Sequence, residues 1–248
     1  MHASAAQPHA PSAPTFARPA RPRVESRPLY HLGTPSICHV AASIARLPKT
    51  LALYRRLRQS PAYAEVKALA ASGAVHVNWH SLKYVVKGGK HLMVAINRAL
   101  ALGLDAQLGR RVLDVSTGVG YFPWVCAALG HEATSTDLPT NDVYNAAISA
   151  LGVDRSAWRI ARGEPVPDLG GPFDAITSFM VCFDTNADGS RWAASDWVPF
   201  LSGLVAQLRP GGVLHLSLNR YDDALLGVLE REGYTVDRRS GHVSIRAA

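Results

Sequence analysis

The feature that most constrains the fold is a glycine-containing segment, Asp114-Val-Ser-Thr-Gly-Val-Gly120, which joins an apolar strand to a helix. The strand is predicted over residues 110–115. The helix is predicted over Pro123–Leu129, with proline in its first turn and Gly130 as its end. Glycine lets the backbone turn sharply and approach a ligand, because no Cβ stands in the way. The free N–H groups of a helix N-terminus favour a carboxylate or a phosphate. The segment therefore predicts ligand binding at the carboxyl end of a strand.

Strands and helices alternate over the rest of the chain. Further strands are predicted at residues 132–137, 158–161, 173–179 and 213–219, helices at 141–151, 195–208 and 221–232, and a closing hairpin at 235–239 and 242–246. Such alternation is typical of βαβ units and a parallel sheet. The predicted fold class is α/β: a doubly wound, mostly parallel seven-stranded sheet with a C-terminal antiparallel hairpin and an N-terminal helical lid.

The N-terminal third differs from the rest in composition. Residues 1–28 are rich in Ala, Pro, Ser and Arg, cannot bury a core, and are predicted to be a disordered tail. Residues 29–104 are predicted to be a helical lid or substrate segment, with a mobile turn at the glycine pair of Lys87-Gly-Gly-Lys90. Residues 105–248 are predicted to be the ligand-binding core. Among residues 1–90, 13 Lys and Arg face 2 acidic residues, which indicates an anionic partner or substrate, or simply a solvated surface.

Several classes of protein are excluded by the same sequence. No apolar run approaches the roughly 18 residues that span a bilayer, so no membrane partner is expected. The three cysteines, Cys38, Cys126 and Cys182, lie far apart without a CxxC pair, which argues against a zinc ribbon or a disulfide framework. This cysteine usage suits the reducing cytoplasm, and no metal site is predicted.

Two nucleotide cofactors fit a strand, a glycine loop and a following acid. Asp137 ends the second strand 17 residues after Gly120, and a carboxylate there can accept two hydrogen bonds from a ribose diol. The dinucleotide fingerprint needs G-x-G-x-x-G or G-x-G-x-x-A. Here Gly118-Val-Gly120 is followed by Tyr-Phe-Pro123, so the third small residue is missing. Proline also has no N–H to donate to a pyrophosphate, which disfavours a dinucleotide.

At these residues the sequence resembles the class I S-adenosylmethionine (SAM)-dependent methyltransferases, whose first motif reads acidic-x-Gly-x-Gly-x-Gly. Asp114-x-Ser116-x-Gly118-x-Gly120 is similar to it, with Ser116 in place of the first glycine. Asp137, Arg162-Gly163, residues 173–178 and residues 208–212 follow in the family's order, so the resemblance covers about residues 90–248. It implies that SAM is the cofactor and that the cofactor-binding residues are Asp114, Ser116, Thr117, Gly118, Gly120, Asp137, Leu138, Arg162, Gly163 and Phe179.

The resemblance also indicates where an acceptor substrate would bind. Residues that follow the fourth strand face the methyl group in this family, and here they are apolar, which suits a planar or hydrophobic substrate. The substrate-binding candidates are Trp79, Met180, Phe183 and Asn219. The catalytic candidates are His80 and Tyr84, in the segment that would cover the substrate, with His39 and His215 as weaker candidates for a general base.

The leading hypothesis from the sequence is a methyltransferase for a small, aromatic or heterocyclic metabolite. One alternative is an RNA or protein methyltransferase that uses the basic N-terminal third. A further alternative is a non-catalytic SAM-binding protein. The acceptor atom and the oligomeric state stay open at this stage.

Overall fold

The computed structural model describes residues 37–71, 79–186 and 188–248, apart from the side chains of residues 37–44, 79 and 80. The predicted tail, residues 1–28, lies outside the described residues. Within them, no helix is both long enough and apolar enough to cross a membrane.

Four helices precede the sheet: α1 (Ile37–Arg58), α2 (Pro61–Ala71), α3 (Trp79–Val86) and α4 (Gly88–Ala101). Leu92, Ile96 and Leu100 are four residues apart and buried on one face of α4. Because this spacing is close to one helical turn, α4 packs against the sheet through a continuous apolar stripe. Pro48 lies inside α1 and does not interrupt it.

The glycine pair is not the mobile turn that the sequence predicts. Gly88 and Gly89 form the first turn of α4. A Cβ on Gly88 would lie 2.6 Å from the Tyr121 hydroxyl oxygen, and one on Gly89 would lie 2.8 Å from the Tyr54 hydroxyl oxygen. Both distances are shorter than real Cβ contacts, so the glycines permit the close approach of α4 to its neighbours.

The sheet contains seven strands in the order β3-β2-β1-β4-β5-β7-β6, parallel except for β7, which is antiparallel to both neighbours. The strands are β1 (Arg111–Val115), β2 (Glu132–Asp137), β3 (Asp154–Ala157), β4 (Phe173–Val181), β5 (Leu208–Leu218), β6 (Thr235–Asp237) and β7 (His242–Arg246). The helices among them are α5 (Tyr121–Ala128), α6 (Asp142–Leu151), α7 (Ala194–Val205) and α8 (Asp223–Arg231). The predicted fold class, including the C-terminal antiparallel hairpin, is confirmed.

Both faces of the sheet are covered by helices. Val112 and Ala175 belong to one buried cluster, with residues of α1, α2 and α4 to α6. Leu113 and Ile176 belong to a second cluster, with residues of α7 and α8. Neighbouring residues of a strand point to opposite faces, so these near-continuous apolar strands are those of a doubly wound sheet.

Two predicted boundaries are wrong. The third strand was expected at residues 158–161 but is Asp154–Ala157. It is an edge strand whose residues are mostly exposed, so it lacks the apolar pattern that identifies buried strands. The fifth strand was expected at residues 213–219 but starts at Leu208, opposite Phe173, and Pro210-Gly-Gly212 forms an irregularity inside it.

Candidate active site

The predicted glycine loop lies where the sheet order reverses. β1 has β2 on one side and β4 on the other, and the helices that follow β1 and β4 cover opposite faces. In open α/β sheets this arrangement leaves a crevice beyond the carboxyl ends of the strands, which is where ligands bind. The loop enters it with Ser116, Gly118 and Gly120 at φ values of 58°, 61° and 81°. Serine rarely adopts this conformation, and such strain is concentrated at functional sites.

Asp137 holds the loop in this conformation. The Gly118 N–H donates to Asp137 Oδ2 at 2.6 Å, and the Leu138 N–H donates to Oδ1 at 2.7 Å. Burial raises the pKa of the Asp137 carboxyl, while these two N–H groups and Arg155 act to lower it. A carboxylate oxygen has two lone pairs, so each can accept a further hydrogen bond. The structure thus brings the loop and the predicted ribose-binding acid into direct contact.

Asp114 lies beneath the loop and connects β1 to β4. Its side chain is 3% exposed, and the Thr177 hydroxyl donates to Asp114 Oδ1 at 2.7 Å. Removal from water raises the pKa of Asp114 to about 6, against the opposing effects of its hydrogen bonds and of Arg98. The Ser178 hydroxyl also donates to the Val115 carbonyl, at 2.9 Å. Asp114 therefore supports the floor of the crevice.

Arg98 is a functional candidate that the sequence analysis missed. Its guanidinium carbon lies 4.1 Å from the centre of the Phe179 ring. Burial lowers the pKa of Arg98, while Asp114 and Tyr84 raise it. No carboxylate of the described residues lies within 4.0 Å of it. A partly buried guanidinium without an ion-pair partner is costly, and an anionic group of a ligand would offset that cost. The sequence did contain a signal: Arg98 follows Ala95 by three residues, so the two lie on neighbouring positions of the helix surface.

The third helix forms the wall beside the loop. Asn141, the N-cap of α6, donates from Nδ2 to the Ser81 hydroxyl at 2.6 Å. The rings of Tyr84 and Tyr144 meet edge to face with centres 6.1 Å apart. Burial raises the pKa of Tyr144 to about 12, so its hydroxyl is a neutral donor at physiological pH. Tyr84 is thereby placed beside the loop. Trp79 and His80 begin α3, and their side chains lie outside the described residues.

The predicted substrate residues separate into two groups. Met180 has a φ of 60° and a side chain that is 45% exposed. Its carbonyl accepts from Cys182 Sγ at 3.1 Å, and Asn219 Nδ2 lies 3.5 Å from the same sulfur. Met180 and Asn219 are therefore brought together through Cys182 at the ends of β4 and β5. Phe183 instead packs among Trp192, Trp197 and Phe200, with ring centres 5.3–5.9 Å away.

The predicted adenine position is not next to the third strand. Arg162 pairs with Asp196 at 3.0 Å and is half exposed, and Gly163 follows it in the same exposed loop. Because β3 ends at Ala157, the residue that directly follows it is Trp158. The backbone N–H of Trp158 donates to the Asp137 carbonyl at 3.4 Å. The Trp158 ring stacks on the Phe200 ring, with ring centres 6.1 Å apart. Trp158 was missed because the strand was placed four residues too late.

His215 lies on β5 beside the crevice floor. Its ring centre is 5.8 Å from that of Phe179 and 5.2 Å from that of His242. Burial, followed by the charges of His242 and Arg98, lowers the pKa of His215 to about 4. The imidazole is neutral at physiological pH and weakly basic, which disfavours it as a general base. In the described part of the chain, no group of three His, Cys, Asp or Glu side chains could hold a metal ion.

The strand order and the antiparallel C-terminal hairpin agree with the mostly parallel, seven-stranded sheet that the sequence predicts. The sequence matches no protein-family model and no curated protein.

Three solved structures illustrate the similarity. A SAM-bound amino pentose methyltransferase from Micromonospora echinaspora is 22% identical over 60% of this chain and 60% of its own, with a TM-score of 0.44. A ribosomal protein L11 methylase from Lactobacillus delbrueckii is 18% identical over 71% and 82%, with a TM-score of 0.40. The SAM-bound magnesium protoporphyrin IX methyltransferase from Synechocystis PCC 6803 is 17% identical over 84% and 97%, with a TM-score of 0.46. All three TM-scores are below 0.5, so these similarities carry no conclusion about the activity or the substrate of this chain.

Proposed function

We propose that this protein is a SAM-dependent methyltransferase that acts on a small, aromatic or heterocyclic metabolite in the cytoplasm. The proposal rests on the arrangement of two side chains at the switch point of the sheet. Asp137 accepts from the Gly118 N–H of the glycine loop. The partly buried Arg98 lies over Phe179, near the end of β4, and has no ion-pair partner among the described residues. A carboxylate beside a glycine loop suits a ribose diol, and the guanidinium suits a carboxylate. SAM carries both groups, with the reactive methyl between them.

The described residues fit this cofactor. Asp137 would accept from the ribose hydroxyls, the loop from Ser116 to Gly120 would approach the cofactor with its backbone, and Arg98 would bind the amino-acid carboxylate. Trp158 would provide an apolar wall for the adenine, in place of Arg162. When bound, the cofactor supplies an electrophilic methyl group on a sulfonium. The chain has to position the acceptor in line with that methyl and keep water away, and such alignment supplies roughly 7–11 kcal/mol of the barrier reduction.

The aromatic character of the crevice supports the substrate class. Tyr84, Tyr144 and Phe179 are half-buried aromatic residues that would line it, and the exposed Met180 would add a flexible apolar surface. Such a lining favours a flat acceptor, held by stacking rather than by many hydrogen bonds. Met180 and Asn219 would contact this acceptor, and Trp79 and Phe183 remain proposed substrate-binding residues. His80 and Tyr84 are the proposed catalytic residues, because a hydroxyl or amine acceptor has to lose a proton.

Binding experiments test the cofactor. We expect calorimetry to show that S-adenosylhomocysteine (SAH), the demethylated product, binds the full chain and that NADH does not. Asp137→Asn should weaken SAH binding, because its amide group would face one of the two N–H donors. The matched control is Asp142→Asn, which removes an exposed carboxylate from the first turn of α6. Binding of NADH with no binding of SAH would refute the assignment. Binding of SAH without methyl transfer to any acceptor in a SAM-dependent assay would favour the non-catalytic alternative.

A second candidate is an RNA methyltransferase. The observation that favours it is the cluster of Lys83, Lys87 and Lys90, whose charges all act on His91, with Lys83 Nζ 4.9 Å from the centre of the Tyr84 ring. Basic residues interleaved with aromatic rings bind single-stranded nucleic acid. A salt titration separates the two candidates. RNA affinity should fall steeply with the logarithm of the salt concentration if the lysines neutralise phosphates. An enzyme for a small metabolite should bind no RNA at physiological salt.

A further inference from the structure

A cavity of about 440 Å³ lies at the amino ends of β1, β4 and β5, on the opposite side of the sheet's strand ends from the crevice. It is lined by Arg110, Arg209 and Arg246, by the loop after α4, and by Pro210, Gly211 and Gly212. The crevice begins after Val115, whereas this cavity lies before Arg111, so the length of β1 separates them by about 15 Å. The residues of the cavity therefore take no part in the site described above.

The lining carries excess positive charge. It contains three arginines but one acidic residue, Asp174. Both oxygens of Asp174 already have partners within the protein. Oδ1 lies 3.0 Å from Arg209 Nη1, and Oδ2 accepts from the Arg111 N–H at 2.6 Å. Asp174 thus neutralises at most one of the three arginines that line the cavity.

Two of the three arginine side chains donate hydrogen bonds to neutral groups. Arg110 donates to the Gln107 side-chain oxygen at 2.8 Å, and Arg246 donates to the Gly211 carbonyl at 2.9 Å. Within the described residues, Arg209 Nε is buried and has no hydrogen-bond partner. A guanidinium has five N–H donors, so most donors of the three side chains remain available. Three such forks around one cavity match the oxygens of a phosphate or pyrophosphate better than a single carboxylate.

We propose that this cavity binds a small molecule that carries a phosphate or pyrophosphate group. Its volume exceeds that of an inorganic anion and lies within the range of pockets for organic ligands, so an organic portion would also be accommodated. Gly211, at a φ of 76°, and Gly212, both in the irregular part of β5, keep that side of the cavity free of side chains. The site is independent of the proposed methyltransferase crevice, and its ligand would differ from the methyl donor and the acceptor.

Calorimetry with sodium pyrophosphate, using the full chain at constant physiological ionic strength, tests the proposal. We expect wild-type protein to bind pyrophosphate, and Arg246→Gln and Arg110→Gln each to weaken that binding at least about ten-fold, because each loses charge-assisted hydrogen bonds. Arg239→Gln is the matched control, since it removes the same charge from an exposed turn. Arg209 is left intact because its loss would leave Asp174 without its ion pair.

Four outcomes would overturn the proposal. Wild-type protein could fail to bind pyrophosphate, or Arg246→Gln and Arg110→Gln could bind it as tightly as Arg239→Gln does. Competition between pyrophosphate and SAH would instead place the anion in the crevice. A short RNA that binds with the same dependence on Arg110 and Arg246, and displaces pyrophosphate, would assign the cavity to a nucleic-acid backbone. SAH affinity, measured in the same variants, should be unchanged, so failure of this proposal and failure of the methyltransferase assignment are distinguishable.

Discussion

The role of Arg98 can be tested by removing either the side chain or the ligand group it would bind. Arg98→Gln removes the charge and the fork of donors and leaves a shorter, neutral polar side chain. The Arg98 guanidinium carbon lies 4.1 Å from the centre of the Phe179 ring and has no described carboxylate within 4.0 Å, so a ligand carboxylate would be its direct ion-pair partner, in addition to the longer-range charge of Asp114. Charge-assisted hydrogen bonds contribute about 1.5–3 kcal/mol. We therefore expect SAH to bind Arg98→Gln roughly 10- to 150-fold more weakly than wild type.

The ligand 5′-methylthioadenosine supplies the matching comparison. It keeps the nucleoside and the thioether of SAH but lacks the amino-acid part, so its affinity should be equal in wild type and Arg98→Gln. Arg98→Lys should be intermediate for SAH, because the charge remains and the planar fork is lost. Lys90→Gln, an exposed residue of the same helix, controls for net charge. Both affinities would be measured by calorimetry. Equal weakening of the two ligands in Arg98→Gln would show that Arg98 acts by packing on Phe179, and no weakening of SAH would refute the reasoning.

Three further predictions concern the loop, the helix packing and the buried acid. Asp137→Ala should weaken SAH binding by about 1–3 kcal/mol in calorimetry, because the ribose hydroxyls and the Gly118 N–H lose an acceptor; unchanged affinity would contradict this. Gly88→Ala should lower the free energy of unfolding by about 1–3 kcal/mol, since the new Cβ would lie 2.6 Å from the Tyr121 hydroxyl oxygen. In urea denaturation the loss should be smaller in a Tyr121→Phe background, and an equal loss would exclude this contact as the cause. Because burial raises the pKa of Asp114 to about 6, its protonation favours the folded state: that stabilisation is complete below the pKa of the unfolded chain, about 4, and is lost as the pH rises to about 6. Asp114→Asn should therefore gain stability over wild type between pH 4 and pH 7, by at most about 3 kcal/mol, and a difference that does not change with pH would contradict the assignment.

The parts of the fold that the sequence could predict are those with a strong local signal. β1, β2 and β4 are buried on both faces or end in a distinctive acid, and Asn141 caps α6 as its position suggested. The glycine loop was recognisable because two of its three positions with positive φ hold glycine, which adopts this conformation easily. Ser116, at the third position, adopts it at a cost. These features depend on residues close together in the chain, which a single sequence displays directly.

The features that were missed depend on distant parts of the chain. β3 gains its hydrogen bonds from β2 alone and buries little, so no periodicity marks it. The glycine pair resembled a turn because the tyrosines that require it, Tyr54 and Tyr121, are more than 30 residues away in sequence. Arg98 resembled an ordinary surface residue, since its position over Phe179 arises only when α4 packs on the sheet.

The close packing of α4 against Tyr54 and Tyr121 has a consequence for ligand binding in the crevice. Gly88 and Arg98 lie ten residues apart on one rigid helix, which is about 15 Å along its axis. A substitution that crowds Tyr54 or Tyr121 and tilts the first turn of α4 would also move the C-terminal part of the helix, which carries the Arg98 guanidinium. Substitutions at Gly88 or Gly89, which contact no ligand, can therefore change ligand affinity by changing the orientation of α4.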